Sequence, residues 1–472
     1  MAPKQRKIDR RKFLADAGCA ALGCTTLFSS LISMKAIAAA VTDKPPIPKD
    51  GSDYKALVCV LLAGGADSHN MLVPRGQSEY DEYQITRSNL AIPRNEILSL
   101  NHGGQGGRQY GVHPGMPDVQ NLFNQGKAAF IANVGTLIEP TSREQFEAGG
   151  HPVPVGLFSH ADQIMHWQTG RPGERNSKGW GGRISDLIQS MNQNQAMSMN
   201  ISLSGRNRFQ TGFESTDFSV RPNGNVGING FDNDNAYHTL RNAAIDNMLD
   251  QEYQDVFEKT YVNTLKTSKE ASVQFNEAID NLPEFVTQFS DNRLSERFKM
   301  VAKIIAVREQ LGYTRQTFFI NYGGWDHHDG VVEKQSEKLP ILSAAIGEFQ
   351  AAMAELGTEE NVTTFSISDF SRTLTSNGNG SDHAWGGNTM VFGGAVNGGE
   401  IHGEYPSLDL DNPLMLRRGR LIPTLSAQEY MAELALWFGV SPGDLNDIFP
   451  DLPNFYDTNS NELPIGFMNS SI

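Results

Sequence analysis

The sequence predicts an α/β fold: a mostly parallel, doubly wound sheet flanked by helices. Two observations predict it. Short, nearly continuous apolar runs, of the kind buried on both faces, alternate with longer stretches of helical period. Several of those runs also end in an acid or a histidine, some through a glycine pair. Such polar crowding belongs beyond the carboxyl ends of parallel strands.

Taken in order, residues 41–53 contain prolines and lysines and read as a linker. Residues 54–63 are the first strand, ending in Gly64-Gly65-Ala66-Asp67. Residues 75–112 are polar and read as loops. A short helix is expected over 116–125. A second buried strand covers 128–134 and ends at Gly135-Thr136. Ser159 has the chemistry of a helix N-cap, and helical spacing runs on to Trp167. A further helix follows over 181–192. Residues 193–235 are rich in Asn, Gly and Ser and read as strands with loops, and 236–282 as charged outer helix. The span 193–290 therefore reads as an insertion or helical subdomain within a single domain over 54–472. Phe298, Val301, Ile304, Ile305 and Leu311 recur at helical spacing and predict an amphipathic helix over 294–311. The apolar run from Thr317 to Ile320 ends in Gly323-Gly324-Trp325-Asp326-His327-His328. A helix over 333–356 should kink or break at Pro340. Strands over 362–367 and 389–392 and a helix over 427–438 complete the pattern.

Composition narrows the partners. The chain of 472 residues has 39 basic and 54 acidic side chains, a net charge of −15. The first forty residues hold seven basic and two acidic groups, so the remainder is more acidic still. This balance argues against nucleic acid, whose binding needs phosphate neutralisation by Lys and Arg. It argues equally against an anionic membrane surface. Arg10-Arg11 lies in a twin-arginine pattern, an apolar stretch follows, and small residues at Ala36, Ala38 and Ala40 offer cleavage sites. Residues 1–40 read as a Tat signal, which implies the Tat translocase as partner during export and a periplasmic or extracellular destination. Cys19 and Cys24 lie in that signal, leaving Cys59 alone, so no internal disulfide forms after cleavage. Beyond the signal no apolar run is long enough to span a bilayer.

The chemistry lies at the expected strand ends. Asp67, Asp326, His328, Asp369, Asp382 and His383 converge on one edge if the strands are parallel. Mixed Asp and His donors suit one or two divalent ions such as Zn²⁺ or Mn²⁺, with Mg²⁺ or Ca²⁺ if carboxylates dominate. Arg372 is placed to clamp an anionic oxygen, or to pair with Asp369. Ser159, at a helix N-terminus, is the candidate hydroxyl nucleophile.

These stretches occur in one order: the twin arginines, Leu61-Leu62-Ala63-Gly64-Gly65-Ala66-Asp67, Leu157-Phe158-Ser159-His160, Gly323-Gly324-Trp325-Asp326-His327-His328, Ser368-Asp369-Phe370-Ser371-Arg372-Thr373 and Asp382-His383. As a set they resemble the Tat-exported family called domain of unknown function 1501, which is similar to the sulfatases within the alkaline phosphatase-like superfamily. The resemblance implies a bimetal site, a Ser, Thr or Cys nucleophile and hydrolysis of phosphate or sulfate esters, small or polymeric. It implies metal roles for Asp67, Asp326, His328, Asp369 and His383. For the nucleophile it leaves Ser159 ahead of Ser68 and Thr136. The superfamily's Asp-His pair is replaced here by Asp369-Phe370. That departure favours a rival reading, an exported binding or scaffold protein with a degenerate metal site.

Overall fold

The computed structural model of the chain describes residues 53–194, 197–222 and 236–469. The expected export signal, nearly all of the linker, and Cys19 and Cys24 lie outside the described residues.

Among the described residues the core is a nine-stranded sheet. Its strands, in chain order, are β1 (Lys55–Leu62), β2 (Ala128–Gly135), β3 (Asn200–Ser202), β4 (Phe218–Ser219), β5 (Arg315–Asn321), β6 (Val362–Ser368), β7 (Gly387–Phe392), β8 (Ile401–His402) and β9 (Leu425–Ser426). Across the sheet the order is β8-β2-β7-β6-β1-β5-β3-β4, with β9 also paired to β2. All pairings are parallel except those of β7, which runs antiparallel to β2 and β6. The expected mostly parallel α/β sheet is therefore present, with one reversed strand.

Long apolar runs form the central strands because both faces are covered. From Ala56 to Leu62 every side chain of β1 is buried, whichever face it points to. On one face Phe365 of β6 meets Trp180 and Tyr430, which carry the helices Trp180–Ile188 and Ala427–Phe438 onto the sheet. The helix Val331–Glu355 packs against both Pro117–Asn124 and Arg293–Ala306, with Phe298 on Phe349 at 5.0 Å between ring centroids. Cys59 is fully buried in β1, and burial pushes its thiol well above the usual range.

Three expectations need correction or refinement. Residues 75–112 hold a helix, Gln77–Arg87, and two strands, Leu98–Ser99 and Tyr110–Val112, which with Leu72–Pro74 form a three-stranded antiparallel sheet. These strands are too short to show alternation, and only Tyr80, Tyr83, Thr86 and Arg87 of the helix are buried. Of the kink or break expected at Pro340, the break is not seen: the helix is continuous from Val331 to Glu355. Its buried face, including Leu339, Leu342, Phe349 and Met353, outweighs the lost backbone bond. Ser159 stands at the N-cap of the helix His160–Thr169, but its side chain makes no capping bond.

Within the span 193–290, the described residues include β3, β4 and the helices Ala236–Leu249 and Val256–Asp280. Phe275 of the second helix packs on Phe218 of β4.

Candidate metal centre

β6, β1 and β5 lie side by side and parallel, so their carboxyl ends share one edge. The crossovers diverge from β1 to either side there, and ligands collect at such points. The β1 end passes through Gly64 at φ 120°, where a Cβ would stand 2.5 Å from the backbone nitrogen of Asp326. Only glycine lets the β5 loop cross so closely. The loop is then fixed by Trp325, which is fully buried and donates from its backbone to Ala63 O at 3.1 Å.

Asp326 is the hub. Its Oδ1 lies 3.4 Å from His160 Nε2, 3.2 Å from His328 Nε2 and 3.7 Å from His383 Nε2. The Nε2 atoms of His328 and His383 are 2.9 Å apart. Donor atoms of His160, Asp326 and His383 all lie within 4.8 Å of one another. Ligands at about 2.0–2.1 Å around one tetrahedral ion are separated by about 3.3 Å, so the set of His160, Asp326 and His383 suits a single cation, with His328 beside it. The side chains of Asp326 and His328 are 47% exposed, which opens the centre to solvent.

The imidazoles are set for that purpose. His383 donates from Nδ1 to Phe158 O at 2.7 Å, and His160 from Nδ1 to Asp369 Oδ2 at 2.6 Å. Each bond fixes the tautomer and leaves an Nε2 lone pair facing Asp326. His160 Nε2 is buried and has no hydrogen-bond partner among the described residues, an unmet need that a cation would fill. Phe158, whose carbonyl orients His383, holds φ 72°, a left-handed conformation uncommon for a bulky residue. Behind His328, Asp382 Oδ1 lies 3.3 Å from Nδ1. Phe370 packs against both His160 and His383, with ring centroids 4.8 and 4.5 Å away, beside imidazoles that themselves lie 4.3 Å apart.

Charge follows geometry. The hydrogen bond that His160 donates to Asp369 raises His160, against an opposing effect of burial. Burial would raise Asp326, but the Arg372 guanidinium and the neighbouring imidazoles together hold its carboxyl below the ordinary value. Burial lowers His383. It also lowers His327, to about 4; this histidine is buried beside Trp325 with its Nε2 on Gly324 O, and it packs rather than ligates.

Of the residues singled out in the sequence, Asp326, His328 and His383 come together. Asp369 is fully buried and reaches the centre through His160, its other oxygen accepting from Gly64 N at 3.0 Å. Asp67 is not among the converging donors. It is fully buried and ion-paired with Arg87, which also donates to Thr373 O and Leu374 O. Arg372, fully buried, donates to Gly64 O, Gly65 O, Ser381 O and Asp326 Oδ1. Ser68 is buried and bonded to Ser371 Oγ and Asn388 N. Thr136 donates to Gln163 Oε1. Ser159 is partly exposed and immediately precedes His160. Sequence reasoning missed His160 and Arg87. A histidine just inside a helix N-terminus has no periodicity to mark it, although its place beside Ser159 in the ordered set of stretches was a usable signal.

Residues 54–418 match the model of the family described as "Protein of unknown function (DUF1501)". The chain belongs to that family. No curated protein matches this DUF1501 chain. Solved structures similar to it share about a tenth of its sequence. One is Ps i-CgsB, at 10% identity and TM-score 0.35, covering 86% of this chain and 78% of that one. Another is the lipoteichoic acid synthase LtaP from Listeria monocytogenes, at 9% identity and TM-score 0.34, covering 90% and 81%. A third is the PsFucS1 sulfatase from Pseudoalteromonas sp., at 9% identity and TM-score 0.32, covering 95% and 77%. Among the described residues no helix is long and apolar enough to cross a membrane.

Proposed function

We propose that this DUF1501 chain is a metal-dependent hydrolase of phosphate or sulfate esters, exported by the Tat route. The observation that carries the reading is the convergence of three Nε2 atoms on Asp326 Oδ1 at a solvent-open strand edge. The ester class rests on the family resemblance of the ordered sequence stretches.

His160, Asp326, His328 and His383 would hold one divalent ion. When bound, the ion would neutralise an anionic ester oxygen and lower the pKa of an attacking hydroxyl. Asp369 and the Phe158 carbonyl keep His160 and His383 in the ligating tautomer. Arg372 anchors Asp326, with which it is ion-paired. Ser159, partly exposed beside His160 and hydrogen-bonded to the Asp162 carboxylate, is the hydroxyl this reading favours over those of Ser68 and Thr136, which are buried. A second ion at Asp67 is disfavoured, because Arg87 already supplies the positive charge there.

The rival reading of a non-catalytic binding protein draws on Phe370, which presents an apolar ring to two of the imidazoles. Metal analysis of the purified protein, with Asp326→Ala and His383→Ala beside it, and a screen of phosphate and sulfate esters separate the two. The hydrolase predicts one ion per chain, lost in both variants, and turnover of one ester class. Bound metal without turnover would favour the rival. Absence of stoichiometric metal from the wild type would end the metal-centre reading.

A further inference from the structure

In a chain of net charge −15, one turn carries three arginines in four residues, Arg417-Arg418-Gly419-Arg420. It closes a two-stranded hairpin, Met415–Leu416 with Arg420–Leu421, lying against the loop that carries Asp382 and His383. The hairpin is pinned on both sides. Leu374 N donates to Gly419 O at 2.8 Å, and Gly386 N to Leu421 O at 2.9 Å. Arg420 Nε donates to the carbonyl of His383 at 2.8 Å. The Arg420 guanidinium carbon sits 4.3 Å from the centroid of Phe158, the residue whose own carbonyl orients His383. Its guanidinium is thus held by one bond and one ring face. No hydrogen-bond acceptor among the described residues takes Nη1 or Nη2, so this planar fork keeps its terminal donors. Arg418 pairs with Asp382 Oδ2 at 3.1 Å and offsets a carboxylate that would repel an anion.

We propose that Arg420 is the oxyanion-recognition residue of the centre, with Arg418 supporting it electrostatically. This rests on the metal-centre reading above and gives its ligand a class, a tetrahedral oxyanion of the phosphate or sulfate type. A guanidinium suits such a group because its parallel N–H donors match two oxygens at once. Arg372 is the less suitable clamp: it is fully buried, and its donors already serve three backbone carbonyls and Asp326.

The test is calorimetric titration of inorganic phosphate and, separately, sulfate into the full-length protein as purified. Metal content and melting temperature are measured on the same samples. Arg420→Met should weaken the preferred anion roughly tenfold or more, the loss expected for a charge-assisted bond, with metal content unchanged. Arg420→Lys should recover part of the loss. Arg418→Ala, at an exposed side chain, should cost roughly two- to fivefold. The two titrations also tell phosphate from sulfate as the preferred group. Equal affinity in wild type and Arg420→Met, or no binding of either anion by wild type, overturns the proposal. If Arg420→Met does not fold, unchanged affinity in both Arg420→Lys and Arg418→Ala overturns it instead. A metal-free wild type would sink the metal reading, while the ratio of anion affinities would still decide the role of Arg420.

Discussion

Replacing Asp369 by Asn tests whether a residue that touches no ion governs ion binding. Asp369 accepts twice, from His160 Nδ1 at 2.6 Å and Gly64 N at 3.0 Å, and is fully buried. An amide presents one oxygen and one NH2. If the oxygen keeps Gly64, the NH2 faces His160 and drives its proton onto Nε2, removing the lone pair. If the oxygen turns to His160, two donors meet at Gly64 instead. The first outcome should weaken metal binding roughly ten- to a hundredfold, which is about 1.4–2.7 kcal/mol. The second leaves a buried donor unpaired, at about 1–3 kcal/mol of folding stability. Competition with a chelator reads the first, and urea denaturation of the metal-free protein reads the second. The pH dependence adds a sign. Asp369 raises His160, so wild-type metal binding should weaken as pH falls through that raised value, since protons and metal compete for Nε2. In the variant that midpoint should move to lower pH. Asp369→Asn with metal affinity within about twofold of wild type and unaltered stability would refute the reasoning.

Two further changes probe the surroundings. Arg87→Met leaves the Asp67 carboxylate buried without its cation and should destabilise by about 3–5 kcal/mol. The double variant with Asp67→Asn should regain most of that in urea denaturation while metal content stays at the wild-type level, whereas loss of metal would mean that Asp67 does ligate. Burial raises Glu429 from 4.5 to about 7. Its contribution to stability is therefore complete below 4.5 and is lost as pH rises through 7. Glu429→Gln should melt above wild type at pH 8, by at most about 3 kcal/mol, and level with it near pH 4; the same gap at both pH values would contradict this.

The central strands at 54–63 and 128–134 were legible because burial on both faces leaves them almost continuously apolar, with Lys55 and Asn133 the exceptions. The reversed direction of β7 was not legible, since a short apolar run carries no sign of orientation. The same contrast holds at the centre. Asp326 and His328 stood out because they follow a strand and a glycine pair. Asp67 stands at a similar strand end, yet its partner Arg87 lies twenty residues on, in a helix hidden within a polar stretch. Phe370 read as a missing ligand, and its contact with both His160 and His383 depends on packing between segments far apart in the chain.

His160, the Asp326–His328 loop and His383 come from three well-separated stretches of one chain. A cation held among them would be a cross-link as much as a cofactor. By linkage, an ion at a hundred times its dissociation constant adds about 2.7 kcal/mol to the folded state. Chelation would therefore lower the melting temperature as well as empty the site, and the concentration of metal around the chain during folding would set how resistant the finished protein is to unfolding and proteolysis.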